Sequence, residues 1–183
     1  MNKRNTLLFV ALNFCLGTSA LGQQFMTREG HVHFFSSTPI EDIEADNHQM
    51  SGLLDAATGE FAFQVQMRGF HFEKALMEEH FNESYVESEK HSKATFLGQI
   101  ENWSDASSDG TLQKVVAKGT FNIHGVEQPA DISGELRWTG ESWVLGAQFE
   151  VSLEAHNIQI PAVVKDNISP VIAVDVHATL NPR

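Results

Sequence analysis

The chain has 183 residues, 42% of them apolar and 20% charged, the balance of a folded domain with a real core rather than a disordered chain. Twelve basic residues against 24 acidic ones give a net charge of −12, which argues against a nucleic-acid binder and against docking on anionic lipid. A single cysteine excludes an internal disulfide and zinc centres built from several thiolates.

Residues 1–22 read as a secretory signal peptide. Lys3 and Arg4 supply the positive end, residues 7–16 an apolar run, and Thr18, Ser19, Ala20 and Gly22 the small residues near a cleavage point. Cleavage is expected after Gly22, with Ala20 as the competing position. Other readings of the segment are a buried N-terminal helix or a lipoprotein signal at Cys15, although Asn13-Phe14 lacks the small residues such a signal shows. No later apolar stretch is long enough for a transmembrane helix. The expected mature domain, residues 23–183, contains no cysteine and must hold together by packing.

Strands are expected first at 31–37 and 49–54, with the acidic segment 41–48 between them read as an exposed loop. The turn Asp55-Ala56-Ala57-Thr58-Gly59 leads into a strand whose inward face is Phe61, Phe63, Val65 and Met67. The period then changes. Phe72, Leu76, Met77 and Phe81 are spaced as one face of a helix over 72–81, and Asn82 and Ser84 follow as stop signals. After a polar loop at 104–110, alternation returns with Val115, Ala117, Gly119, Phe121 and Ile123 inward. Ile132, Leu136 and Trp138 pass through Thr139-Gly140-Glu141-Ser142 to Trp143, Leu145, Ala147, Phe149 and Val151, a hairpin with glycine in its loop. Ile172, Val174, Val176, Ala178 and Leu180 form the last inward face. About eight strands with one short helix predict an all-β barrel or sandwich, and an eight-stranded barrel has room for a filled core or one small ligand.

Two motifs carry a family resemblance. One is GTFNIHGVEQPADI at 119–132, in which a strand ends in a His-Gly-Val turn and resumes after a proline. The other is FHFEKALMEEHFNESY at 70–85, followed by EKHSKATF at 89–96. With GHVHFF at 30–35 and IQIP at 158–161, they make the chain resemble the YceI-like family over roughly residues 25–180. The resemblance implies a single antiparallel eight-stranded lipocalin-like barrel with one short helix covering an end. It also implies export to the bacterial periplasm, or secretion, and for some members a polyisoprenoid in the lumen. Where the family often has Tyr-Pro before the strand at 94–100, this chain has His91-Ser92.

Other chemistry is weakly signalled. Among nine histidines, His31 and His33 would share a strand face and could approach one metal, or simply face solvent or carboxylates. No H-E-x-x-H motif accompanies the Glu79-His80 pair. The runs Glu41, Asp42, Glu44, Asp46 and Glu78-Glu79 read as solvated faces. Neither G-x-S-x-G nor G-x-G-x-x-G occurs. No catalytic residue, metal ligand or cofactor is therefore assigned, and the protein is not expected to be an enzyme.

The phenylalanines form either an ordinary core or the wall of a lumen. The family resemblance favours a lumen lined by Phe34, Phe63, Phe70, Phe72, Leu76, Met77, Phe81, Phe96, Phe121 and Phe149. The expected function is that of an exported protein carrying or sequestering a long amphiphile, a polyisoprenoid or acyl lipid. The alternatives are a metal- or stress-related periplasmic binding protein using surface histidines, and a filled barrel serving structure or interaction.

Overall fold

Apolar residues at every second position need one shared interior, and a sheet closed on itself provides it. A computed structural model describes residues 23–103, 106 and 108–183; the expected signal peptide, and residues 104, 105 and 107 of the expected loop, lie outside them. The strands are β1 (Gln24–Ser37), β2 (Asp42–Asp55), β3 (Glu60–Gln66), β4 (His71–Phe72), β5 (Lys93–Ile100), β6 (Gln113–Ile123), β7 (Val126–Trp138), β8 (Trp143–Ser152) and β9 (Val171–Pro182). Pairing follows the order β1-β9-β8-β7-β6-β5-β3-β2, all antiparallel, and β1 pairs back onto β2. Eight long strands therefore close into a barrel, and the two-residue β4 adds to the free edge of β2 through Ala45–Phe72 and Asp46–His71.

Three sequence expectations need correction. Residues 41–48 are no loop: β2 begins at Asp42 and pairs with β1 as far as Ser37. Its acids Asp42, Glu44 and Asp46 all lie on the solvent side, while Ile43, Ala45 and Asn47 turn inward, so a one-sided strand resembles a polar run. The helix does not span 72–81. Phe70 and Phe72 flank the exposed His71 in extended chain, and α1 runs from Ala75 to His80 before widening into a looser turn over Phe81–Tyr85, where the Val86 N–H donates to the Phe81 carbonyl at 3.0 Å. β1 also starts at Gln24 rather than at residue 31, which buries Phe25 and Thr27.

Closure leaves a seam between β2 and β3. The β2–β3 ladder covers only Ser51–Leu54 against Phe61–Gln64, and the strands part beyond it. Asn47, with no exposed surface, fills the gap. Its Nδ2 donates to the Gln66 carbonyl at 2.9 Å, and its Oδ1 accepts the Gln49 N–H at 2.8 Å. Elsewhere β5 and β6 come so close that Gly98 faces Gly119; a Cβ on Gly98 would lie 2.0 Å from the Lys118 carbonyl oxygen.

One barrel end is shut by aromatic rings. Trp143 packs between Trp103 (5.4 Å) and Trp138 (5.1 Å), and Phe25 meets Trp138 edge-on at 5.4 Å. The Trp103 indole N–H donates to the Ala56 carbonyl at 2.8 Å, tying this floor to the β2–β3 turn. In denaturant titrations, Trp143→Ala should cost about 3–5 kcal/mol of stability. Asn47→Ala, which removes the side-chain partners of the Gln66 carbonyl and the Gln49 N–H from a fully buried position, should cost about 1–3 kcal/mol. Thr120→Ala, on the outer face, should match the parent.

Candidate functional site

Inward side chains of the eight long strands do not meet at the barrel axis. They surround an apolar cavity of about 600 Å³ that runs from Leu136 and Leu180, beside the tryptophan floor, to Glu41, Lys74 and Leu76 at the opposite end. That volume lies within the roughly 300–1,000 Å³ typical of small-molecule pockets. All ten residues singled out in the sequence line it: Phe34, Phe63, Phe70, Phe72, Leu76, Met77, Phe81, Phe96, Phe121 and Phe149.

They fall into two groups. Phe63, Phe96, Phe121 and Phe149 belong to the strand walls, and a ladder of ring contacts links Phe61 to Phe96 (4.9 Å), Phe96 to Phe121 (5.8 Å) and Phe121 to Phe149 (5.7 Å). Phe34, Phe70, Phe72 and Phe81 form a four-ring cluster with centroids 5.1–5.6 Å apart, which anchors α1 at the upper end of the barrel. Glu78 completes the anchor by accepting the Phe72 N–H at 3.2 Å. On α1 itself Met77 is half-buried, whereas Leu76 is 61% exposed and stands on the rim. The helix therefore borders the open end rather than laying its whole apolar face across the lumen.

A hydrogen-bonded polar cluster lies at this mouth. The Glu41 carboxylate, at the end of the β1–β2 turn, accepts Lys74 Nζ at 2.9 Å and Asn167 Nδ2 at 3.2 Å. It thus joins three connections across the opening: the β1–β2 turn, the segment leading into α1, and the β8–β9 connection. Donation by Lys74, then by Asn167, outweighs partial desolvation and holds the Glu41 carboxyl below its ordinary pKa of 4.5. Hydrogen bonding to Glu41 raises the Lys74 pKa in turn. Nearby, burial raises the pKa of the Tyr85 hydroxyl, which also lines the cavity. This latch was invisible in the sequence, where Glu41 belongs to an acidic run and Asn167 lies 126 positions away.

The described residues also contain two groups able to approach a metal, His31 with Asp46 and His48, and Glu87 with His91 and His124. Neither is in the cavity. His31 and His33, expected from the sequence to share a strand face, both contact Asp46 Oδ1, at 2.6 and 3.1 Å.

The family model of the YceI-like domain matches residues 20–180. No curated protein matches the chain. Among solved structures, a polyisoprenoid binding domain from Saccharophagus degradans implicated in plant cell wall breakdown is 14% identical, with a TM-score of 0.77 over 88% of this chain and 99% of that one. Burkholderia cenocepacia BcnA is 14% identical with a TM-score of 0.68, over 82% of this chain and 95% of that one. A Campylobacter jejuni YCEI protein is 12% identical with a TM-score of 0.55, over 100% and 99%. At these identities the likeness is one of fold.

The latch has a defined pH response. A carboxyl whose folded pKa is depressed stabilises the fold above its unfolded value, here 4.5, and loses that contribution as pH falls through the folded value. Lys74→Met should therefore destabilise the protein at about pH 7, and the difference between the two proteins should shrink as pH falls below 4.5 and through the lowered folded value, as Glu41 takes up its proton. Thermal melts of the two across this range measure it.

Proposed function

Because the chain belongs to the YceI-like family, a family of binding proteins, we propose that its barrel takes up the hydrocarbon part of a long amphiphile, a polyisoprenoid or acyl lipid, and carries or sequesters it without chemical change. The cavity is the observation that carries this reading: about 600 Å³, open at one end and walled almost entirely by apolar side chains. A filled barrel would have no such space. The likeness to the polyisoprenoid binding domain of Saccharophagus degradans supports the ligand class.

The geometry suggests an orientation. A hydrocarbon tail would lie along the phenylalanine walls with its end against the tryptophan floor. Its head group would remain at the mouth, where Glu41, Lys74 and Asn167 offer both an acceptor and donors. Desolvating the tail would supply the binding energy, about 0.8 kcal/mol per methylene buried. The protein would meet its ligand after export, with residues 1–22 removed, in a bacterial periplasm or outside the cell. Among the described residues no helix is long and apolar enough to cross a membrane.

Protein purified from a bacterial periplasm, denatured and extracted should release a long-chain lipid detectable by mass spectrometry, and its N-terminus should begin at Gln23 or within a few residues. In a homologous acyl series, affinity should rise up to about fourfold per added methylene until the lumen is full. Phe72→Ala and Met77→Ala should lower retention, while Glu79→Ala on the exposed side of α1 should leave it unchanged. Absence of any bound or bindable chain from folded parent protein would overturn the carrier reading.

A further inference from the structure

The outer wall of the barrel carries a second feature, unconnected with the lumen. Strands β9, β1, β2 and β4 are consecutive there, and their register places Asp175 beside His33, His33 beside Asp46, and Asp46 beside His71. Acid and imidazole alternate across the four strands. His177 pairs with His31 in a neighbouring row. Val32, Ala45 and Val176, one residue away along their strands, pack in the core, so strand geometry directs the polar set outward. Five of the nine histidines in the chain thus share one face: His31, His33, His48, His71 and His177.

Asp46 is the centre of this face. Its Oδ1 accepts from His31 Nε2 at 2.6 Å and from His33 Nδ1 at 3.1 Å. The His48 ring lies parallel to that of His31, with centroids 4.4 Å apart and planes at 7°. One ligating atom from each of His31, Asp46 and His48 lies within 4.8 Å of the others. Donors bound to zinc at about 2.0–2.1 Å stand about 3.3 Å apart in a tetrahedron. The three donors are thus within reach of one ion, and side-chain rotation, of the stacked His48 ring above all, would draw them in to that spacing.

We propose that His31, Asp46 and His48 form a binding site for a borderline divalent cation of the zinc class, with His33 as a positioning residue. The ion takes the place of the proton shared between His31 Nε2 and Asp46 Oδ1. Two imidazoles and a carboxylate are a donor set suited to such an ion, and an open fourth position is left to water. His33 retains its hydrogen bond to Asp46 and orients the carboxylate, as outer-shell partners of metal ligands do; the Glu44 carboxylate, 3.9 Å from His33 Nε2, stands behind it. Asp46 is ready as an anionic ligand.

The other imidazole–carboxylate group is already engaged. Glu87 pairs with Lys90 and with His124, and His124 Nδ1 is bonded to the His156 carbonyl. Titration calorimetry of the full mature chain with zinc chloride, at about pH 7.5, distinguishes the two. One equivalent should bind, and the His31→Gln/His48→Gln double variant should lose at least about tenfold in affinity. Imidazole nitrogen NMR of the parent should show the His31 and His48 signals shifting together on zinc addition, a readout independent of how well the variant folds. Asp46→Asn should weaken binding, and His33→Gln should weaken it less. No saturable uptake by the parent, or uptake that survives in the double variant and disappears in His91→Gln, would overturn the proposal.

Discussion

Closure of the sheet through the β1–β2 ladder is the constraint on which the rest of the molecule depends. That ladder pairs eleven positions, from Gln24 with Asp55 to Ser37 with Asp42. It turns an open sheet, whose first and last strands would expose unpaired backbone, into a ring with a single inside. Once the ring is closed, each strand has no choice of face. Apolar residues that would otherwise seek a second layer have only one another or a guest to pack against. The seam between β2 and β3 is where closure is weakest, and Asn47 and β4 cover it.

The two ends of the ring solve opposite problems. At the floor, large flat rings interlock: Trp103 after β5, and Trp138 and Trp143 on either side of the β7–β8 turn. Such contacts are dense, dry and expensive to separate. At the mouth the connections are held by one carboxylate and two exposed or half-buried partners. A water-accessible ion pair contributes little and opens readily. The barrel is therefore graded in stability from a rigid base to a rim that yields first, which is the order that entry from one end requires.

Much of this was legible in the sequence, and the gaps have identifiable physical causes. The alternating walls at 61–67, 115–123 and 143–151 could be read directly, because their inward residues are large and apolar and their outward ones polar. The first half of β2 was hidden because its solvent side carries Asp42, Glu44 and Asp46 and its inward side includes Asn47, which breaks the pattern while sealing the seam. The helix was misplaced because Phe72 precedes Leu76 by four residues, a helical spacing, yet also follows Phe70 by two, a strand spacing; pairing of Ala45 with Phe72 decides for the strand. The Glu41 latch, the tryptophan floor and the grouping of five histidines each join residues far apart in the chain. No local period reports such meetings; only the closed topology and its register do.

The β1–β2 wall separates two chemistries at the thickness of one strand. Phe34 lines the lumen while its neighbour His33 belongs to the outer cluster, and Ala45 is core while Asp46 is the hub of that cluster. Alternation alone lets one strand serve both, since a residue facing outward costs nothing to packing within. An ion held by His31 on β1 and by Asp46 and His48 on β2 would bridge the pair of strands that closes the ring. Binding that is restricted to the folded state adds its free energy to folding. In this chain the addition would fall on the ladder that converts a sheet into a container, so a small outer site would reinforce the structural condition for having a lumen at all.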